Sequence, residues 1–278
     1  MRIQDEYRND VEIILLAQKR SGHHAIAQWL ARLMDPPICF LNWVSAYTDP
    51  FLTFQDPFGF SKTIDRFMSL ENVEEARCQR KKFLLIDYQD VPLHAFSDPS
   101  FIPDRVNSIG RSRKRHQVLI LRDPFNCMAS RLVRYRKVTR NPPPGVRPHE
   151  MIPDAAIVDQ WCSYAREFLG ATNHLSNKVT INFNRWHLSP EYRAQICATL
   201  ELRGEVDGTA TEVPTAGGGS SFDGLTFQGK AEQMDIANRW RQLAGDEEFR
   251  SLFQGREELF ALSRQIFGDL PGTSELLS

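Results

Sequence analysis

Four short apolar runs recur along the chain with helical patterns between them: residues 11–16 (VEIILL), 83–86 (FLLI), 118–121 (VLIL) and 179–183 (VTINF). Runs that are apolar at almost every position, and not at alternate ones, are strands covered on both faces. Helical periodicity is read over 25–34 after the first run, 126–138 after the third, 155–175 before the fourth and 190–200 after it. Strand and helix in alternation imply an α/β fold, a mostly parallel sheet with helices on both sides. At 278 residues, 41% hydrophobic and 25% charged, the chain has enough apolar surface for such a core in one domain, 1–278. Three breaks interrupt the pattern. Residues 45–62 and 139–153, rich in aromatics, Asp and Pro, read as candidate substrate loops or lids, and 214–221 (PTAGGGSS) reads as a flexible loop before a helical part over 230–268.

A formal charge of -1 argues against a general polyanion binder, so no stable nucleic-acid complex is expected despite the basic runs at 111–116 (RSRKRH) and 131–140 (RLVRYRKVTR). No run approaches the length of a membrane span, and the opening MRIQDEYRND has no apolar signal region, so a cytoplasmic location is expected. Five scattered cysteines without CxxC or His-rich spacing suggest neither a disulfide framework nor a metal site.

The first strand runs directly into QKRSGHHAIAQWL, a basic loop that opens a helix. A loop in that position aims backbone N–H groups and the positive end of a helix at one spot, which suits a phosphate-like anion. The nucleoside-triphosphate form of such a loop, G-x-x-x-x-G-K-[ST], uses its Lys on the phosphates and its hydroxyl on magnesium. Aligned on Gly22, this chain has Ala17, His23 and His24 at those places. Lys19, Arg20, Ser21 and the loop amides keep the anion function without the metal.

RSGHHA from Arg20 resembles the 5′-phosphosulfate loop, [K/R]-S-G-T-T, of the sulfotransferases that use 3′-phosphoadenosine 5′-phosphosulfate (PAPS). A second motif of that family is an Arg at the end of a strand with a Ser eight residues on, in the next helix, gripping the 3′-phosphate. VLILRDPFNCMAS matches it with Arg122 and Ser130. A guanidinium offers phosphate a planar fork of donors, and Ser130 adds a neutral one; the plainer alternative makes Arg122 a partner of Asp123. The resemblance implies a three-layer, P-loop-like sulfotransferase fold and a donor site of Lys19, Arg20, Ser21, Gly22, His23, His24, Arg122 and Ser130. It further implies Phe183 near the adenine, with Ser221 and Phe222 of SSFDG beside it. His23 and His24 depart from the family's Thr pair, and Asn184-Arg185-Trp186 replace its acidic pair.

The implied activity is transfer of a sulfuryl group from PAPS to a hydroxyl of a carbohydrate, lipid or small-molecule acceptor. Adenosine 3′,5′-bisphosphate is released and no metal is used. Such a reaction asks for aligned partners and stabilised charge, for which Arg20, Lys19 and His24 are placed around the leaving oxygen. A base for the acceptor is sought past the second apolar run, in DYQDVPLH: Asp90 first, His94 second, with His24 as an alternative and Asp87 as a buried structural acid. Two other classes stay open: a P-loop-type nucleotide kinase or NTPase, and a non-catalytic nucleotide or nucleic-acid binding module.

Overall fold

The computed structural model of the chain describes residues 7–56, 65–98, 100–142, 148–202, 212–214 and 219–277, apart from the side chains of 102–105. The strands are β1 Asn9–Ala17, β2 Ile38–Leu41, β3 Lys81–Gln89, β4 Ser112–Leu121 and β5 Lys178–Asn182. The helices are α1 His23–Leu33, α2 Pro50–Thr53, α3 Val73–Cys78, α4 Phe101–Ile109, α5 Pro124–Arg140, α6 Ala155–Phe168, α7 Phe183–Leu188, α8 Pro190–Thr199, α9 Glu247–Ser251 and α10 Glu257–Phe267. The strands form one sheet in the order β2-β3-β1-β4-β5, every pairing parallel.

Alternation along β1 sends Ile13, Leu15 and Ala17 to one face and Ile14 and Leu16 to the other. The first set packs with Ile26 and Leu30 of α1, Trp186 of α7 and Ile196 of α8. The second packs with Phe125 and Leu132 of α5, Trp161 of α6 and Leu259 of α10. This is the three-layer α/β/α arrangement expected from the sequence. Both faces of β1 are buried, which is why its sequence reads as an unbroken apolar run.

The structure corrects several boundaries. The strand β2 was not expected, although ICFL is as long and as apolar as the runs FLLI and VLIL; its pairing with β3 (Ile38↔Phe83 to Leu41↔Ile86) decides it. Helix α6 stops at Phe168 and not at 175, because Gly170 takes φ +79 and the chain turns back over the buried Glu167. The Glu167 carboxylate accepts the His174 and Leu175 amides at 3.0 and 3.2 Å and the Thr172 hydroxyl at 2.6 Å, which holds the turn in place. Helix α5 continues to Arg140 into the expected loop, and the C-terminal part is helical only in pieces. Residues 57–62, 143–147 and 215–218 of the three expected loops lie outside the described residues. Among the described residues, no helix is long and apolar enough to cross a membrane.

From β1 the chain moves through α1 to β2 on one side of the sheet, and from β4 through α5 and α6 to β5 on the other. Because β1 and β4 are neighbours, their connections part at their carboxyl ends and leave a crevice there.

Candidate anion-binding site

The crevice opens into a cleft of about 1140 Å³ of empty space, counted out to its mouth. Its near wall is the β1–α1 loop. Ser21 N–H closes a turn onto Gln18 O at 3.1 Å, Arg20 takes φ +73 and Gly22 takes φ +88 as the cap of α1. Only glycine adopts the Gly22 conformation at little strain. Space demands it as well: a Cβ there would lie 2.1 Å from the ring of Phe183, at the start of α7.

Arg122 ties the two sequence motifs together. It is 3% exposed, and it donates from Nη1 to Arg20 O (3.2 Å) and Ser130 Oγ (3.3 Å) and from Nη2 to Ile236 O (3.1 Å). Its Nε is buried without a partner, and the guanidinium carbon lies 5.4 Å from the centre of the Phe183 ring. Asp123 is not its ion-pair partner: the carboxylate caps α5 through Asn126 N–H at 2.9 Å and accepts from Asn184 Nδ2 at 2.9 Å.

Around Arg122 the cleft gathers Arg20, Arg134 and Arg239. Arg20 donates to Gly219 O at 3.3 Å with Nε unpartnered; burial, then Arg134, Arg122 and Arg239, push its pKa down to about 9. Arg239 pairs with Asp223 at 2.8 Å, yet burial and Arg122 push it down to about 10. His187, beside the Phe183 ring, falls to about 4 through burial and then Arg122 and Arg239. In each case burial is the larger cause, and the neighbouring arginines add to it. The lining acid Glu212 is engaged by Arg32 and Gln28 of α1.

Lys19, Arg20, Gly22, His23, His24, Arg122, Ser130 and Phe183 all line the cleft. Ser21 is buried in the loop itself. Ser221 and Phe222 sit just behind the lining, where Ser220 takes their place; Ser221 O accepts from Lys137 at 2.6 Å, and Phe222 packs beneath Arg239. His94 is exposed in a short 3-10 turn away from the cleft.

Asp90 is also outside the lining. Both its oxygens are held by Arg131 (3.0 and 2.9 Å), and Oδ1 accepts Lys19 N–H at 3.0 Å. This acid ties the β1 loop to α5, and both its oxygens are engaged, unlike those of a free base. Lys19 is drawn the same way, with Nζ 4.2 Å from the centre of the Trp43 ring and 3.5 Å from Glu150. His24 alone of the three proposed bases lines the cleft. Its Nε2 lies 3.1 Å from Asn42 Oδ1, whose amide is oriented by donation from Nδ2 to Asp56. Burial, then His23, push the His24 pKa down to about 3.

The sequence reading missed Arg134, Arg239 and Asn42. Arg134 carried a signal, standing four residues after Ser130 on one face of α5. Arg239 stands in NRWRQL, which resembles a Trp-containing C-terminal segment of the family, but its place in the cleft depends on tertiary packing.

Fold and site together define a P-loop-like α/β protein with an arginine-rich cleft at its topological switch point. No protein-family profile and no curated protein matches the chain by sequence. Among solved structures it is similar to the sulfotransferase domain of the olefin synthase of Synechococcus PCC 7002, with a TM-score of 0.51 and 12% identity over 96% of this chain and 98% of that one. A mouse sulfotransferase, SULT7A1, solved in complex with PAP, matches at a TM-score of 0.43 and 14% identity over 94% of this chain and 90% of that one. The fold is therefore that of sulfotransferase domains.

Proposed function

We propose that the chain transfers a sulfuryl group from PAPS to a hydroxyl of a carbohydrate, lipid or small-molecule acceptor. The observation that carries this reading is Arg122, buried between Ser130 and the β1 loop in a cleft with Arg20, Arg134 and Arg239. That spacing gives a nucleotide two separate anion subsites. The loop amides, the start of α1 and Arg20 suit the 5′-phosphosulfate, and Arg122 with Ser130 suits the 3′-phosphate that ATP lacks. The Phe183 face offers a stacking surface for the base. Positive charge around the leaving bisphosphate stabilises what develops there as the S–O bond breaks. Of the three candidate bases His24 is the one that lines the cleft, so His24→Ala is expected to lower turnover.

The deciding experiment is thermal stabilisation by adenosine 3′,5′-bisphosphate in EDTA, against ATP–Mg and AMP. At a hundred times its dissociation constant a site ligand adds about 2.7 kcal/mol. Stabilisation by ATP–Mg alone would favour the kinase class, and a response to none of the three nucleotides would remove the sulfotransferase reading.

A further inference from the structure

The two histidines that replace the family's Thr pair face an acid. His23 is 5% exposed, and neither ring nitrogen has a hydrogen-bond partner. Asp87, at the carboxyl end of β3, is 0% exposed with Oδ1 unpartnered, and its Oδ2 lies 3.7 Å from His23 Nε2. His24 completes the group: one ligand atom from each of His23, His24 and Asp87 lies within 4.8 Å of the other two. Buried polar atoms without partners are uncommon, and those of His23 and Asp87 converge on one point beside His24.

We propose that His23, His24 and Asp87 form a binding site for one divalent transition-metal ion of the zinc type, in the wall of the cleft beside the anion loop. Two imidazoles and a carboxylate suit zinc, cobalt or ferrous iron, whereas magnesium and calcium prefer all-oxygen sites. Metal–donor bonds of about 2.1 Å place tetrahedral donors about 3.4 Å apart, so loading draws these side chains together by roughly 1 Å. Outer partners are already in place. Asn42 Oδ1 lies 3.1 Å from His24 Nε2, and Gln89 Nε2 donates to Asp87 Oδ2 at 2.5 Å; acceptors and donors of this kind orient metal ligands. With neutral imidazoles, Asp87 offsets one charge of the ion and a net positive centre is left beside the cleft. Three protein ligands leave a coordination position for water or an acceptor hydroxyl, whose proton becomes more acidic there. Metal at this position replaces His24 as the activator of the hydroxyl. The site reverses the metal-free expectation from the sequence, and it stands whether or not the cleft takes a nucleotide.

The test is titration of the metal-stripped full chain with Co²⁺, followed by its visible d–d absorption and by metal analysis. One equivalent is expected, displaced by Zn²⁺ with loss of colour. His23→Gln and Asp87→Asn are expected to abolish the signal, and Asn42→Ala to weaken binding by about 10- to 100-fold while circular dichroism is unchanged. Should Asp87→Asn fail to fold, Asn42→Ala and His23→Gln decide. A colourless titration, or a cobalt signal that survives His23→Gln and Asn42→Ala undiminished, overturns the proposal. Bisphosphate binding in EDTA is measured on the same preparation: its failure removes the nucleotide reading alone, and failure of cobalt binding removes the metal site alone.

Discussion

Replacing Arg122 by alanine separates nucleotide recognition from general attraction of anions. The side chain is 3% exposed and holds two backbone carbonyls, Arg20 O and Ile236 O, together with Ser130 Oγ. Removing it orphans the carbonyls at about 1–3 kcal/mol each, so a stability loss of roughly 2–5 kcal/mol is expected, less where water fills the space. For the ligand, one or two charge-assisted hydrogen bonds disappear, worth about 2–4 kcal/mol. Adenosine 3′,5′-bisphosphate should then bind about 30- to 1,000-fold more weakly. Adenosine 5′-phosphosulfate, which has no 3′-phosphate, should lose almost nothing, whereas Arg20→Ala should weaken both. The assay is a set of dissociation constants by calorimetry on variants whose folding is checked by circular dichroism, at a temperature below the lowered melting point. Equal losses for the two nucleotides in Arg122→Ala would refute the 3′-phosphate assignment, and an unchanged melting temperature would refute the bridging role.

Three further expectations follow from the same geometry. Gly22→Ala meets a left-handed backbone penalty of about 1–2 kcal/mol and the Phe183 ring at 2.1 Å; melting temperature and bisphosphate affinity should both fall, with partial recovery in Gly22→Ala/Phe183→Ala, and a wild-type melting curve for the single variant would contradict the packing. Asp90→Asn breaks a pair in which Arg131 is 2% and Asp90 13% exposed, a loss of about 3–5 kcal/mol for a buried pair; loss of turnover with stability intact would instead return Asp90 to the role of base. His187, with its pKa lowered to about 4 from 6.5, contributes stability that is present above pH 6.5 and lost as pH falls through 4, about 3 kcal/mol in all. In urea titrations at pH 7, 5 and 4 the advantage of the wild type over His187→Gln should shrink; a constant difference would show that His187 is not held neutral.

The sheet was legible because a strand covered on both sides cannot hide its apolar run, and β1, β3, β4 and β5 all stand in that position or close to it. The edge strand β2 carries the same signal in ICFL, buried at every position, and was not among the expected strands; its pairing with β3 identifies it. At the site, the placement of the β1 loop, Arg122 and Ser130 beside the cleft could be read because it depends on local order: strand end, turn, helix face. The surroundings of Asp90 could not. Its place in a loop after a strand looked like that of a base, while its occupation by Arg131 depends on α5, 41 positions away. The place of Arg239 in the cleft was hidden because it depends on a C-terminal turn folding back, and the approach of Asp87 to two histidines likewise joins β3 to the start of α1 only through the sheet.

The crowding of Arg20, Arg122, Arg134 and Arg239 sets like charges beside one another in the cleft. On the proposed chemistry, donor and product carry the same 3′-phosphate and nearly the same 5′-group, so whatever relief of repulsion draws the donor in is kept when the sulfuryl group has gone. Departure of the bisphosphate then restores the full repulsion, and the slow step of turnover moves from bond breaking to letting go. A burst of sulfated product equal to the enzyme present, ahead of a slower steady rate that rises with ionic strength, is the kinetic sign; a linear start would place the slow step at the chemistry.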